Sequence, residues 1–287
     1  MQKKKTEPSV SPFGGNKIAI IGCGTIGEAL ARGMLAAGFA QVGQVQASTR
    51  TPERAQKLHR SLGIVAGTDN RRIAEGADVV VLAVKPPLAL TVLDEIAGEL
   101  PARQAMVVSV AAAIGTAPLE QALERRNGSF GAVVRAMPNT PALIATGMTA
   151  LALGRKVSHA QAELARHLFL SIGRTVIVEE RHMDAVTGLS ASGPAFIYMV
   201  VESLAEGGVR VGLPRELALE LAAQTVVGAG AMVLETGEHP AKLKDAVTTP
   251  AGCTVDGLLE LEEGGLRVAL IKAVCRAAMR AGQLVSR

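Results

Sequence analysis

The residue types best suited to chemistry cluster near the start of the chain. Gly22-Cys23-Gly24-Thr25-Ile26-Gly27 forms a G-x-G-x-x-G between a short apolar run and a helical pattern. Each glycine meets a different need: a tight turn, backbone approach to a pyrophosphate, and close packing of helix on strand. The helix that follows offers unpaired N–H groups and the positive end of its dipole to an anion. A plain glycine turn could carry the same letters, but a strand before and a helix after make them a dinucleotide fingerprint. The next apolar run ends Ala47-Ser48-Thr49-Arg50, with no acidic residue. A carboxylate there would accept from a ribose 2′-OH, whereas two hydroxyls and a guanidinium suit a 2′-phosphate. NADPH is therefore expected, with NADH the weaker alternative.

A second candidate lies far downstream, in Thr248-Thr249-Pro250-Ala251-Gly252-Cys253-Thr254 ahead of a helical stretch over residues 255–262. Thr254 is read as the N-cap, and the backbone N–H groups before the helix would suit a small substrate's carboxylate. Taken alone, a capped loop without function is the simpler reading. Lys85 ends an apolar run and is read as touching the cofactor. Gly188-Leu189-Ser190-Ala191-Ser192 imitates a nucleophile elbow but has Ser192 where glycine is needed and no strand ahead of it. Cys23, Cys253 and Cys275 are widely spaced without C-x-x-C, and the five histidines show no ligand spacing. Neither disulfides nor a metal is expected, and a reducing cytoplasm fits. Cys23 and Cys253 each border a helix start, where thiolate is favoured, so alkylation should inactivate.

Alternating elements must carry these residues. Strands are expected at residues 17–21, 45–48, 78–84, 106–111, 132–136 and 149–153, with helices at 28–37, 52–62, 88–100 and 118–125 and a helical turn at 73–75. Such alternation implies a parallel sheet with right-handed crossovers. Beyond residue 158 the pattern turns helical, at 158–170, 183–206, 214–236, 241–247 and 265–284, with one strand at 175–178. The expected organisation is a disordered tail over 1–15, an α/β dinucleotide-binding domain over 16–175 and an all-α domain over 176–287. Within 214–236, Glu216, Glu220 and Gln224 form one polar stripe, and no charge occurs from Thr225 to Leu234. A helix apolar all round must be buried all round, so a second subunit is inferred.

Composition narrows the partners. The 287 residues are 48% hydrophobic, enough for a sizeable core. Five Phe, one Tyr and no Trp leave little to stack on nucleobases, and the net charge of +4 is scattered apart from Lys3-Lys4-Lys5. Nucleic acid is not an expected partner. No apolar segment follows the lysines and no uninterrupted apolar run reaches about 18 residues, so neither a secretory signal nor a membrane span is expected.

Several further motifs join these. Ala83-Val84-Lys85-Pro86, Arg135-Ala136-Met137-Pro138-Asn139-Thr140-Pro141, Gly188-Leu189-Ser190-Ala191-Ser192-Gly193-Pro194 and His239-Pro240 occur in the order found in one family. With the two glycine-bearing loops they resemble pyrroline-5-carboxylate reductase over residues 17–284. The resemblance implies NADPH-dependent reduction of 1-pyrroline-5-carboxylate to L-proline, the last step of proline biosynthesis. It also implies an N-terminal Rossmann-type domain followed by an all-α dimerisation domain, giving a homodimer or an oligomer of dimers. By motif, Gly22, Cys23, Gly24, Thr25, Ile26 and Gly27 would hold the pyrophosphate, and Ser48, Thr49 and Arg50 would face the 2′-phosphate. Asn70, Ala83, Val84, Lys85 and Pro86 would line the adenosine and ribose, and Ala111 and Ala112 would border the nicotinamide. Thr249, Gly252, Cys253 and Thr254 would bind the substrate carboxylate and ring nitrogen, with the Thr254 hydroxyl at the nitrogen and Glu180 near the substrate. This chain departs from the family at Ala113, Ala191 and Ala251, where glycine is frequent, at Phe196 for tyrosine, and at Ala246 for an asparagine seen in some members. A reductase of a related cyclic imino acid, and a non-catalytic dinucleotide-binding regulator, are the competing expectations.

Overall fold

A computed structural model describes residues 13–101, 105–127, 131–250 and 252–283. The chain divides into two compact units, Met1–Ala191 with Ala278–Arg287, and Ser192–Ala277. The first unit is built on eight strands: β1 (Ile18–Ile21), β2 (Val45–Ser48), β3 (Val65–Gly67), β4 (Val79–Leu82), β5 (Met106–Ser109), β6 (Ala132–Pro138), β7 (Gly147–Leu153) and β8 (Gly173–Ile177). Their order across the sheet is β3-β2-β1-β4-β5-β6-β7-β8. The first six, all parallel, have the doubly wound dinucleotide-binding order. Helices α1 (Thr25–Ala36), α2 (Pro52–Leu62), α3 (Asn70–Ala74), α4 (Ala89–Ile96), α5 (Thr116–Asn127) and α6 (His159–Leu170) accompany the strands, and the short α7 (Met183–Val186) follows β8.

β1, β4 and β5 are buried along their whole length, as parallel strands between two helix layers must be. Successive residues feed opposite cores. Ile20, Val81, Val108 and Val134 pack with Leu30, Met34 and Phe169; Ile21, Val80, Val107 and Val133 pack with Leu93, Ile96 and Leu119. Local signals set helix ends. The Thr51 hydroxyl accepts from the Arg54 N–H, Pro52 opens α2, and Gly63 closes it in the left-handed region. Ser158 and Gln161 form a capping box for α6.

Several expectations are corrected. β7 runs antiparallel to β6, because the link between them holds only a short 3-10 turn over Thr140–Ile144. A parallel crossover needs about a dozen residues or more. β3, a three-residue edge strand, was not anticipated. The long helix expected over 183–206 is instead α7, a π-turn at Thr187–Ala191, and α8 (Gly193–Arg210), which opens with Pro194. Phe13, placed in the expected tail, is buried in the sheet core, and its carbonyl accepts from Asn16. Residues 1–12 of that tail, with Lys3-Lys4-Lys5, lie outside the described residues. The division between units falls after Ala191 rather than near 175. β8 stays paired with β7 to Ile177, and Met183 packs against Met137, Ala150 and Ala152.

The second unit is helical: α8, α9 (Arg215–Thr236), α10 (Pro240–Ala246), α11 (Cys253–Glu263) and most of α12 (Leu266–Gln283). α8 packs on α9 where Gly208 leaves room for Ala218; a Cβ on Gly208 would lie 3.0 Å from the Ala218 Cβ. Its buried core is small, Ala205, Ala218 and Ala222, supported by Val201 and Val209. Meanwhile Val227, Met232 and Leu234 on α9 are exposed. By length and composition alone α9 could cross a membrane, a span not expected from the sequence.

Candidate active site

The glycine loop leaves β1 at Gly22, whose φ of +77° and closeness to Val84 exclude a side chain. A Cβ on Gly27 would come within 2.9 Å of Ile20 Cγ2, so α1 can lie on β1 only with glycine there. Gly24 differs. Nothing but the Gly22 carbonyl, at 3.9 Å, approaches the position its Cβ would take. No side chain caps α1 at Gly24, so the opening N–H groups are left for an anion. Open space beside uncapped donors fits a dinucleotide pyrophosphate.

Ser48 has a role other than the expected one. Its side chain is fully buried, and its hydroxyl accepts the Gly22 N–H at 3.1 Å while its carbonyl accepts the Cys23 N–H at 2.6 Å. It anchors the glycine loop to β2 and does not present itself to a 2′-phosphate. The Thr49 hydroxyl, also buried, donates to the Thr51 carbonyl at 2.9 Å. Of the three, only Arg50 is exposed. Asn70 donates to Glu95 at 3.2 Å, Val84 presses on Gly22, Ala83 and Pro86 are half-buried, and Lys85 is exposed. Ala111 is buried with its N–H on Ser109 Oγ at 3.3 Å, and Ala112 is half-buried against the Met137–Met183 cluster. Ala113 takes φ +67°, a conformation natural to the glycine frequent at this position in the family it resembles.

Charge near α1 is arranged around Glu28, which pairs with Arg32 at 3.0 Å and with Arg54. Burial pushes its carboxyl up, but hydrogen bonds and charge from the two arginines hold it below the usual range. Cys23 overturns the thiolate expectation. It is buried, and burial pushes its thiol up to about 12 despite the nearby Arg54 charge. Cys253 is exposed.

In the second unit, Gly252 and not Thr254 is the N-cap of α11. The Gly252 N–H closes a turn onto the Thr249 carbonyl at 3.0 Å, and the Thr249 hydroxyl fills the place a Cβ would need. Helical geometry therefore starts one residue before Thr254. No side chain caps α11, and the half-buried Thr254 hydroxyl has no partner among the described residues. Thr249, Gly252, Cys253 and Thr254 are thus brought together in one turn, while Ala251 lies outside the described residues. Glu180 belongs to the first unit, where both carboxylate oxygens bind Thr116, at 2.7 Å to its N–H and 2.6 Å to its hydroxyl. No cluster of three or more metal-ligating side chains occurs among the described residues.

Residues 180–284 match the family described as "Pyrroline-5-carboxylate reductase dimerisation", and residues 17–113 match "NADP oxidoreductase coenzyme F420-dependent". The chain is 42% identical over 268 residues to the pyrroline-5-carboxylate reductase of Methanosarcina acetivorans, spanning 93% of this chain and 97% of the relative. It belongs to the pyrroline-5-carboxylate reductase family. Among solved members, that of Coxiella burnetii superposes with a TM-score of 0.87 at 34% identity, covering 94% of this chain and 98% of that one. The Plasmodium falciparum enzyme, solved with NADP bound, gives 0.81 at 28% identity over 94% and 98%.

Two residues of the family motifs have structural roles that sequence reasoning did not assign. Asn139 accepts the Met148 N–H at 2.8 Å and donates to the Ser190 carbonyl at 3.2 Å, joining β7 to the π-turn. Arg135, in the same motif, is a buried cation on β6. Nothing in the letters of that motif alone distinguishes a scaffold polar group from a ligand.

Proposed function

We propose that this chain reduces the C=N bond of 1-pyrroline-5-carboxylate with NADPH, giving L-proline in the last step of proline biosynthesis. The observation that carries the reading is identity of 42% along nearly the full length of both this chain and a reductase of that name. When bound, NADPH supplies the hydride, from nicotinamide C4 to the imine C5. The opening turn of α1 holds the pyrophosphate, Arg50 the 2′-phosphate, and Ala111 and Ala112 border the nicotinamide. The uncapped start of α11 binds the substrate carboxylate. Thr254 hydrogen-bonds the ring nitrogen through its hydroxyl, which is too weak an acid to be the final proton source; the imine arrives protonated or water supplies the proton. Holding the reactants in register contributes about 7–11 kcal/mol.

The direct test follows loss of reduced-nicotinamide absorbance with pyrroline-5-carboxylate and either cofactor; no turnover with NADPH ends this reading. A six-membered cyclic imino acid run in parallel addresses the nearest rival, since one methylene is worth only about 1–3 kcal/mol. Thr254→Ala should lower kcat/KM roughly tenfold, the worth of one hydrogen bond of about 1.5 kcal/mol. Unchanged kinetics would reject its role.

The helical unit is read as one half of a homodimer, with larger assemblies of dimers built from it. Support comes from the dimerisation-family match and from Val227, Met232 and Leu234, which the small core of this unit leaves exposed. A partner subunit, rather than lipid, is the reading for α9. A soluble cytoplasmic protein suits the exposed free thiols of Cys253 and Cys275.

A further inference from the structure

Among the described residues, Arg135 is the only arginine that is buried; its side chain is 6% exposed. It projects from β6 in register with Ser109 of β5. Its Nη1 lies 3.6 Å from Glu180 and its Nη2 4.0 Å from Asp184, while Nε and Nη2 find no hydrogen-bond acceptor among the described residues. A buried guanidinium with so few hydrogen bonds depends on the opposed carboxylates, and removing Glu180 leaves it only the more distant Asp184, at 4.0 Å.

Glu180 converts this charge into a geometric constraint. Its two oxygens accept the N–H and hydroxyl of Thr116, the residue that opens α5. Just upstream, a Cβ on Gly115 would lie 3.1 Å from the same carboxylate, so the chain passes tight against it. At the other end of this loop, Ala111 is tied to Ser109. Between the two ties stands Ala113, left-handed at φ +67°. Non-glycine residues persist there only where their surroundings over-determine them.

We infer that Arg135, Glu180 and Thr116 form a positioning relay that holds loop 110–115 in its strained form. The relay rests on the function proposed above only in what the loop borders, the nicotinamide end of the cofactor. Glu180 is accordingly a positioning residue rather than a substrate ligand, and Arg135 acts through it.

Hydrogen exchange on the cofactor-free full chain tests the relay without turnover. Glu180→Gln removes the nearer of the two charges facing Arg135, and Thr116→Val removes one hydroxyl while keeping its backbone bond. Exchange over 110–116 should rise about tenfold in each variant, the equivalent of one lost hydrogen bond, and Thr116→Ser should restore protection. Steady-state kinetics should show kcat down about tenfold with substrate KM little changed. Binding of adenosine 2′,5′-bisphosphate, which has no nicotinamide, should stay within about twofold. Wild-type exchange in both variants overturns the relay, as does loss of bisphosphate binding, which would mean general disruption. A rise in substrate KM with unaltered exchange would instead make Glu180 a ligand. If the wild-type chain fails to turn over pyrroline-5-carboxylate, the proposed function falls, and the exchange measurement still decides the relay.

Discussion

Replacing Ser48 with alanine separates two roles that its position at the end of β2 allows. In the fold its buried hydroxyl accepts the Gly22 N–H at 3.1 Å. Alanine leaves that donor without an acceptor, at a cost of about 1–3 kcal/mol. The cost falls on the folded protein whether or not a cofactor is bound, so the urea midpoint should drop by the corresponding amount. A loosened glycine loop also weakens pyrophosphate binding, but equally for NADPH and NADH. The ratio of kcat/KM for the two cofactors should therefore hold within about twofold, measured at saturating imine. Arg50→Ala provides the contrast. Arg50 is exposed, and losing a charge-assisted hydrogen bond of about 1.5–3 kcal/mol should weaken NADPH roughly tenfold to a hundredfold while sparing NADH. If Ser48→Ala instead loses NADPH selectively and keeps its urea midpoint, its hydroxyl touches the phosphate and the loop-anchor reasoning is wrong.

Glycine substitutions in the same loop should diverge. Gly22→Ala meets both the left-handed φ and Val84, and should cost about 2–5 kcal/mol by summing roughly 1–2 for the dihedral and 1–3 for overpacking; Gly24→Ala should fold normally and raise the KM for NADPH. Equal stability of the two in urea would show that crowding at Val84 is not what demands glycine. Cys23 has a folded pKa of about 12 against an ordinary 9.0, so its neutral form contributes stability below pH 9.0 that is lost as pH rises towards about 12. Cys23→Ala should flatten that alkaline loss, and iodoacetamide at pH 8 should label Cys253 and spare Cys23 until denaturant is added; peptide mapping that finds Cys23 labelled in the native protein would contradict its burial. Val227→Asp, at a side chain 63% exposed on α9, should shift sedimentation from dimer to monomer. Unaltered sedimentation would remove this stretch of α9 from the interface.

How far the sequence could be read depended on how local each signal was. Helix α2 is bounded as expected because its cap, its first-turn proline and its closing glycine all lie within the segment. β1, β4 and β5 were legible because burial on both faces demands unbroken apolar runs. Strand direction was not, since β6 and β7 are buried runs of the same kind and only the short link between them fixes the antiparallel pairing. β3 is too short, and its Val65 too exposed, to leave a periodic trace. At α11 the hydroxyl type suggested a cap, but the turn at Gly252 started the helix earlier. The charge-free half of α9 was readable from composition alone, and its Val227, Met232 and Leu234 are exposed.

The candidate site residues divide by what their polar atoms already hold. Ser48 at the end of β2 and Ser109 at the end of β5 hydrogen-bond backbone groups of neighbouring turns, and Asn139 just after β6 bonds the backbone of β7 and of the π-turn. Glu180 does the same for the first residue of α5. Turning any of these groups away from its backbone partner would release a hydrogen bond of the fold. Among the described residues, the groups without such a bond include the backbone at the uncapped starts of α1 and α11, exposed Arg50 and Lys85, and the Thr254 hydroxyl. On the function proposed above, a small anionic substrate and a pyrophosphate would meet main-chain donors, which no side-chain substitution short of proline removes, held in place by buried side chains, which substitution does remove. Mutations that impair such a site should more often act by releasing a turn than by deleting a contact. Their signature is altered exchange protection in the apo protein, before any ligand is added.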